Sequence, residues 1–380
     1  MSATAFAFAP FSLPPPSRSA AAPLCEAAVP VDAIVLAKAL ASQLIVWHHL
    51  VLYGPLQEAL AQWAPALTVW LRQDGRLAVQ AFLVVGGYLA AGSIWRAQAE
   101  GRGWGQLVAA RWWRLVKPYA LALLAALLAA WAARLLVADA DTPAAPTAAQ
   151  VGAHLLLAHD VLGVPALSAG VWYVAIDLQL FALWAALLAL TRGRVPLPLV
   201  LLAGLAASLL AFNLEAGGDV YAPYFFGTWG LGVAAWWLRA QGWRAPAARG
   251  LALALVALLL VALTQAWRER VVLAAAVAVV LTLAPARGLL PSRLRAGITW
   301  LADHSYGVFL MHYPVLLLVG ALGAAAGLVS PAAAAVVMAA GWLASLAAGA
   351  ALHRLTQARL SPKPAARPAP GPWRPAVRGW

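Results

Sequence analysis

Long hydrophobic stretches separated by short polar connections account for most of the chain. Ten of them approach the roughly 20 residues that an α-helix needs to cross the hydrocarbon core of a bilayer. These predicted spans cover about 32–52, 76–96, 117–137, 170–191, 196–213, 223–240, 250–267, 271–286, 299–319 and 332–353. Because only helices and closed barrels satisfy their backbone hydrogen bonds in lipid, the pattern predicts an all-α polytopic membrane protein with about ten transmembrane helices.

The composition supports lipid as the main solvent of the chain. Hydrophobic residues make up 64% of its 380 residues and charged residues only 10%, whereas about 25% of an average soluble domain is charged. These values exclude a cytosolic globular enzyme and a secreted domain. The single cysteine, Cys25, excludes an intramolecular disulfide and a cysteine-based metal cage. His154 and His159 are spaced too loosely to indicate a metal site, so no metal is predicted.

The distribution of positive charge predicts the orientation of the chain. Lys and Arg exceed Asp and Glu by 13, and they gather in alternate connections, as the positive-inside rule requires. With a cytoplasmic N-terminus, the cytoplasmic segments hold 20 of the 26 basic residues and the opposite segments hold five. Both termini are therefore predicted to be cytoplasmic. The basic excess faces anionic membrane lipids, and no nucleic-acid binding is expected because no basic face with interleaved aromatic residues stands out.

Two tails flank the predicted membrane domain at 31–354. Residues 1–30 are rich in Ala, Pro, Phe and Ser but lack the basic start and compact apolar core of a signal peptide, so they are predicted to be a disordered cytoplasmic tail. Residues 355–380 are rich in Pro and Arg, and they are predicted to form a second cytoplasmic tail that touches lipid.

The first predicted span carries ionisable side chains, which are costly in a membrane and therefore indicate function. Lys38 and His49 lie eleven residues apart, and at about 100° per residue they share one helix face with Ser42. In a functional interpretation, Lys38 meets an anionic or carbonyl group and His49 transfers protons, because the imidazole pKa lies near neutrality. Alternatively, Lys38 extends its ammonium to the interface and His49 hydrogen-bonds a neighbouring helix.

Paired arginines stand just before the third predicted span. The segment RWWR at 111–114 places Arg111 and Arg114 three residues apart, on one side of a helix that begins at the cytoplasmic surface. Paired guanidinium groups suit the recognition of phosphate. The same doublet also satisfies the positive-inside rule without binding a ligand, so both interpretations stay open at this stage.

A carboxylate lies inside the fourth predicted span. Asp177 is about five residues from the edge of this span, with Tyr173 and Gln179 nearby, and a carboxylate in this position needs a partner. It is a candidate to orient His49 and stabilise its cationic form, as in other pairs of histidine and aspartate. The alternative is an aspartate that is hydrated in a shallow vestibule.

The ninth predicted span adds a second histidine. Ser305 and His312 share a helix face at a spacing of seven residues. His312 is a candidate for a second proton shuttle, and a hydrogen-bonded packing histidine is an equally good interpretation of the same spacing.

Five segments in this order resemble the acyltransferase-3 family of integral membrane O-acyltransferases. Lys38 and His49 look like the family's signature of a basic residue followed eleven positions later by a histidine. Asp177 stands where the family usually has Glu. The other similar segments are FLVVGGYL at 82–89, RWWR at 111–114, WYVAIDLQLF at 172–181 and SYGVFLMHYPVL at 305–316.

The resemblance implies a bacterial inner-membrane enzyme that moves an acyl group, most often acetyl, from cytoplasmic acyl-CoA to a hydroxyl group. The implied acceptor is a carbohydrate or a lipid-linked glycan of the cell envelope. On this basis His49 is expected to be the general base or a transient acyl acceptor, and Asp177 is expected to set its tautomer. The expected contacts to acyl-CoA and substrate come from Lys38, Arg111, Arg114, Tyr173, Gln179, Ser305 and His312.

Three other functions remain compatible with these residues. A proton-coupled transporter or flippase of a lipid or glycan could use Lys38, His49 and Asp177 as a proton relay. A membrane scaffold with the same fold would not need His49 for any product. An acyltransferase could also take a small molecule or a lipid as its acceptor.

Overall fold

The computed structural model describes residues 29–139, 141–191 and 193–357. Within these ranges the chain forms thirteen α-helices and no β-strand. The helices are α1 (Val31–Leu50), α2 (Gln57–Trp63), α3 (Pro65–Gln73), α4 (Val79–Ala99), α5 (Trp104–Leu136), α6 (Ala148–Leu155), α7 (Trp172–Thr191), α8 (Leu197–Leu210), α9 (Ala222–Gln241), α10 (Pro246–Gln265), α11 (Glu269–Leu283), α12 (Ser292–Ala325) and α13 (Pro331–Gln357).

A long helix stands at each of the ten predicted spans, namely α1, α4, α5 and α7 to α13. Eight of these helices are long and apolar enough to cross a membrane, and the chain is an all-α polytopic membrane protein. The exceptions are α9 and α11. Helix α11 has only 15 residues. Helix α9 is buried at every position from Phe225 to Leu238, so it needs no apolar surface that faces lipid.

Two helices extend beyond their predicted spans into polar sequence. Helix α5 begins at Trp104 rather than near 117, and α12 begins at Ser292 rather than near 299 and continues to Ala325. The added turns carry arginines, among them the exposed Arg114, and hydropathy finds only the apolar part of such a helix. The predicted tails at 1–30 and 355–380 lie outside the described residues, apart from 29–30 and the last turn of α13.

Glycines allow two pairs of helices to pack backbone against backbone. A Cβ atom at Gly87 of α4 would lie 1.9 Å from the carbonyl oxygen of Trp229 in α9, and one at Gly307 of α12 would lie 2.3 Å from that of Gly349 in α13. Small residues provide this close approach in membrane helices, where burial in lipid gives no hydrophobic driving force. The two contacts fix α4 on α9 and α12 on α13.

The helix bundle has two ends, which we call the Arg114 end and the Arg268 end. Helices α1, α5 and α12 begin at the Arg114 end, where Nη1 of Arg295 donates to Oδ1 of Asp32 at 2.6 Å. Backbone N–H groups of 288–290 donate to the other oxygen of Asp32. Helices α4, α7 and α11 begin at the Arg268 end. The buried Asp32 carboxylate thus ties the start of α1 to the loop before α12.

Candidate active site

Arg111 of α5 and Asp177 of α7 form a buried ion pair inside the bundle. Nη2 of Arg111 donates to both carboxylate oxygens, at 2.7 and 2.6 Å, and Nε donates to Oδ2 at 3.0 Å. Asp177 is only 4% exposed, and the guanidinium carbon of Arg111 lies 5.3 Å from the ring centre of Phe181. The planar guanidinium matches the carboxylate in this geometry, so the pair satisfies the requirement of the buried aspartate for a partner.

The predicted contact between Asp177 and His49 does not form. Both oxygens of Asp177 are bound by Arg111, and a guanidinium that is always charged is a stronger partner for a buried carboxylate than a neutral imidazole. His49 instead contacts His312. Asp177, which the sequence suggests as the partner of His49, therefore neutralises Arg111 instead.

His49 of α1 and His312 of α12 form a hydrogen-bonded pair of stacked imidazoles. Nδ1 of His49 and Nε2 of His312 are 2.8 Å apart, and the ring centres are 4.8 Å apart with an angle of 23° between the planes. His312 is fully buried and His49 is 8% exposed. The two histidines lie far apart in sequence, and the packing of α1 against α12 brings them together.

A backbone carbonyl fixes the direction of the hydrogen bond between these rings. Nδ1 of His312 lies 2.6 Å from the carbonyl oxygen of Phe309, which can only accept, so we assign the proton of neutral His312 to Nδ1. Nε2 of His312 then accepts from Nδ1–H of His49. The remaining nitrogen of His49, Nε2, consequently carries a lone pair and no proton, which is the form of imidazole that acts as a base.

His48, the neighbour of His49, has a structural environment. Its Nδ1 lies 2.8 Å from the carbonyl oxygen of Leu71, and a Cβ atom at Gly75 would lie 3.0 Å from the Cβ of His48. His48 therefore holds the last turn of α3 and the segment after it against α1. The two adjacent histidines face different surroundings, as their 100° separation on a helix requires.

Two adjoining cavities lead from the Arg114 end toward the histidine pair. The mouth cavity, about 350 Å³, opens beside Arg114, Lys117 and Asp303. The deep cavity, about 140 Å³, is lined by Phe82, Gly86 and other apolar residues of α4 and α12. Both cavities share the following lining residues: Lys38, Arg111, Tyr173, Asp177 and Tyr306.

An aromatic layer lies between the deep cavity and the histidine pair. It consists of Phe82, Tyr173 and Phe309, whose ring centres are 5.5 to 6.4 Å apart. The ring of Phe309 lies 5.9 Å from that of His312. All three aromatic residues line the deep cavity, and the ring of Phe309 lies against both this cavity and His312.

The comparisons with known proteins give the family. A family model for an acyltransferase domain, Acyl_transf_3, matches residues 31–351. The chain belongs to the acyltransferase-3 family. It is a multi-pass membrane protein with an acyltransferase domain, as the resemblance predicted. No curated protein and no solved structure matches the chain.

Within the acyltransferase-3 domain, most of the predicted site residues line the two cavities or form the histidine pair. Ser305 borders the deep cavity, although its hydroxyl donates to the carbonyl of Ala302 in its own helix at 2.8 Å. Gln179 is the exception. Its side chain donates to the carbonyl of Val220 and accepts from the N–H of Ala222, so it connects α7 to the start of α9 and lines neither cavity.

Several residues of the acyltransferase-3 site were missed by the sequence reasoning. Tyr306 and Phe309 lie in the SYGVFLMHYPVL segment, and nothing in their spacing distinguishes them from the aromatic residues that are common in membrane helices. Trp229 of α9 is fully buried, and its indole N–H has no hydrogen-bond partner in the described structure. This nitrogen lies 3.6 Å from the position of a Cβ atom at Gly86, so an unused donor stands beside the deep cavity.

Proposed function

We propose that the protein is a membrane O-acyltransferase that takes an acyl group, most simply acetyl, from acyl-CoA and transfers it to a hydroxyl of a carbohydrate or lipid-linked glycan. The observation that carries the proposal is the route formed by the mouth and deep cavities, which runs from exposed Arg114 toward the buried pair of His49 and His312. Membership of the acyltransferase-3 family supports the reaction class.

The mouth cavity is the proposed entry for acyl-CoA. Arg114 and Lys117 are exposed there, Lys38 is half-buried, and Asp303 is the lining carboxylate that is not already bound to Arg111. This surplus of positive charge attracts the phosphates of the donor. The apolar lining of the deep cavity suits the uncharged pantetheine arm and the acyl group.

Arg111 has a different proposed role from Arg114. Its charge is neutralised by Asp177 in a buried bidentate pair. If the Arg111 guanidinium moved to bind a phosphate, the Asp177 carboxylate would be left buried without a partner. We therefore assign phosphate binding to Arg114 and Lys117, and we assign to Arg111 the support of the cavity wall that it shares with Tyr173 and Tyr306.

His49 is the proposed general base. Its unprotonated Nε2 accepts the proton of the acceptor hydroxyl while the hydroxyl oxygen attacks the carbonyl carbon of the thioester. When the bond between this carbon and sulfur breaks, the proton passes to the leaving thiolate, and His49 returns to its starting form. His312 is a positioning residue, because its Nε2 accepts the hydrogen bond that keeps the other proton of His49 on Nδ1.

We place the Arg114 end in the cytoplasm and the protein in the bacterial inner membrane. Two arguments support this orientation: basic residues collect at the Arg114 end, as the positive-inside rule requires, and acyl-CoA is a cytoplasmic donor. The acceptor then meets the histidine pair from the Arg268 end, which faces away from the cytoplasm.

The geometry favours this proposal over a proton-coupled transporter or flippase. A relay through Lys38, His49 and Asp177 needs contacts among them or through water, but both carboxylate oxygens of Asp177 are bound by Arg111. Uptake of a glycan or lipid into vesicles that follows a proton gradient without acyl-CoA would support the transporter instead.

Transfer of radiolabelled acetyl from acetyl-CoA tests the proposal. Membranes with wild-type protein, His49→Ala or His48→Gln at equal abundance are incubated with the donor, and the glycan and lipid fractions are extracted. We expect label with the wild type and with His48→Gln, in which the glutamine amide still donates to the Leu71 carbonyl. The label is lost with His49→Ala, and equal labelling by His49→Ala and the wild type would contradict the mechanism.

A further inference from the structure

A third cavity, about 410 Å³, opens at the Arg268 end and differs in chemistry from the other two. We call it the Arg268 cavity. Its polar and aromatic lining comes from the start of α4, the start of α7 and the loop between α10 and α11, and comprises Arg76, Gln80, Trp172, Trp267, Arg268 and Arg270. Glu269 is the carboxylate among its lining residues. Three guanidinium groups and one carboxylate give the cavity a net positive charge.

Neutral acceptors hold two of these arginines in place. Nη1 of Arg268 donates to the carbonyl of Leu209 and to Oδ1 of Asn213, both at 2.9 Å, and Nη2 donates to the carbonyl of Ala262 at 2.8 Å. Nη2 of Arg270 donates to the carbonyl of Asn213 at 2.9 Å. Carbonyl groups fix the side chains without cancelling their charge, so the site is preorganised for an anion.

The positive charge of the cavity is not neutralised by ion pairs. Within the part of the chain that the structure describes, none of Arg76, Arg268 and Arg270 has a carboxylate oxygen within 4.0 Å. Burial, followed by repulsion from the guanidinium of Arg270, lowers the pKa of Arg268. An anion bound beside these two side chains would relieve that repulsion.

The aromatic side chains suit a sugar ring. Trp267 is 70% exposed, so its indole offers a large face for the apolar side of a pyranose. Trp172 also lines the cavity; it is half-buried and is held by stacking on Phe225, with ring centres 5.4 Å apart. A bare phosphate needs no such surface, whereas a saccharide uses both the aromatic and the charged groups.

The Arg268 cavity and the deep cavity take lining residues from the same short stretches of α4 and α7. Gln80 and Trp172 of the Arg268 cavity precede Phe82 and Tyr173, which line the deep cavity. Arg76 lies in the turn at Gly75–Ala78, which packs against His48. The Arg268 cavity therefore lies beside the segments that carry the aromatic layer and beside the turn that packs on His48.

We propose that the Arg268 cavity is the acceptor site and that it selects an acidic saccharide, one that carries a carboxylate or a phosphate group. This proposal rests on the proposed function only in identifying the bound saccharide as the acceptor of the acyl group. The site itself, an anionic-saccharide site made by Arg76, Arg268, Arg270 and Trp267, is tested by binding alone.

Binding of trigalacturonate and of neutral maltotriose to the purified full-length protein tests the site. The protein is placed in phosphatidylcholine nanodiscs at low salt without acyl-CoA, and binding is measured by calorimetry. We expect trigalacturonate to bind about tenfold more tightly than maltotriose, because hydrogen bonds to charged groups are the stronger ones. Equal or undetectable binding of both sugars would overturn the proposal.

Two variants change the charge of the cavity, and a third, outside it, serves as the control. Arg76 is exposed, and its Nε donates only to the carbonyl of Gln73, so Arg76→Gln should weaken trigalacturonate binding about fivefold. Glu269→Gln removes the carboxylate of the cavity and should tighten the binding. Arg249→Gln, an exposed arginine near the Arg114 end, is the matched control and should have no effect.

Lipid binding is the competing outcome. If trigalacturonate fails to bind but nanodiscs with phosphatidylglycerol show an Arg76-dependent preference for that lipid, the cavity holds a headgroup and the saccharide proposal is wrong. The two proposals also fail separately. Acidic-sugar binding without acyl transfer would refute the proposed function alone, whereas transfer to neutral and acidic sugars alike, unchanged by Arg76→Gln, would refute the acceptor site alone.

Discussion

His49 and His312 stack with ring centres 4.8 Å apart, and His154 and His159 stack with ring centres 4.2 Å apart. Both pairs are buried, and each joins a histidine on a helix to a second one brought close by folding. Their hydrogen bonds differ. In the first pair, the Phe309 carbonyl and the bond between the rings leave Nε2 of His49 unprotonated.

The second pair is arranged for structure. Nδ1 of His154 lies 2.8 Å from the carbonyl of Gln150, and its Nε2 accepts from the N–H of Leu167 at 3.0 Å, so neither nitrogen is free. His159 lies in the turns after α6, where its Nε2 is 3.4 Å from Oδ2 of Asp160 and makes no hydrogen bond within the described residues. Both nitrogens of His154 are engaged, whereas the bond to His312 leaves Nε2 of His49 free, so hydrogen-bond partners rather than burial or stacking decide which ring can act as a base.

Substitutions in the two histidine pairs should differ most in their effect on the rate of acyl transfer. We expect His49→Gln to lower kcat for acyl transfer by about 10²–10⁴, the usual contribution of a general base. His159→Gln, the matched change in the second pair, should keep kcat within about twofold of the wild type. Initial rates at saturating acetyl-CoA and equal abundance measure both, and a comparable loss in the two variants would remove the distinction.

Lowering the pH should destabilise the folded protein through the second histidine pair. Burial, followed by repulsion from His154, lowers the pKa of His159 from its ordinary value to about 4. The unfolded chain therefore binds a proton at about pH 6.5 while the folded chain does not until about pH 4. Stability should fall as the pH drops through this window and should not depend on this group above it.

Thermal unfolding of detergent-solubilised protein between pH 7.5 and 4.5 checks this prediction. The variant His159→Phe keeps a ring on His154 but cannot take up a proton, so its Tm should fall less than that of the wild type. Parallel curves for the two proteins would mean that His159 is not the group that responds to acid.

A smaller effect is expected from His312. His312→Leu removes the acceptor for Nδ1–H of His49 and should lower kcat about tenfold with KM unchanged, since one hydrogen bond is lost. His312→Gln places a carbonyl oxygen near the same position and should recover part of the rate. A change confined to KM, or no recovery with Gln, would argue for a packing role.

The smallest expected change separates the two arginines of the doublet. Arg114→Gln should raise the apparent KM for acyl-CoA about three- to tenfold without lowering Tm, because Arg114 is exposed. Arg111→Gln should instead lower Tm, since it leaves Asp177 buried and unpaired. Unchanged acyl-CoA kinetics in Arg114→Gln would refute its assignment to the donor.

The sequence predicted the helices better than the contacts between them. Hydropathy placed all ten long helices because an apolar segment must be helical in lipid, whatever its neighbours are. It missed the polar first turns of α5 and the added length of α12, which continue beyond the apolar part. The helix face shared by Lys38 and His49 could also be predicted from the sequence, because it depends only on helical periodicity.

Which side chains contact each other within the site depends on helix packing, so these contacts could not be predicted from the sequence. Asp177 was identified as needing a partner, but nothing in the spacing distinguishes Arg111 from His49 as that partner. His312 was recognised as a candidate, yet its bond to His49 requires the observed packing of α12 on α1. Gln179 lies near Asp177 in sequence, but its side chain points to the start of α9 and serves structure.

Nitrogen NMR of the imidazoles determines which nitrogen of His49 carries the proton. Protein with ¹⁵N-labelled histidine in nanodiscs is measured at pH 7.5, and the signals are assigned with His49→Gln and His312→Gln. We expect both rings to be neutral with the proton on Nδ1, and Nδ1 of His49 to couple to Nε2 of His312 across their hydrogen bond. A proton on Nε2 of His49 would refute its assignment as the general base.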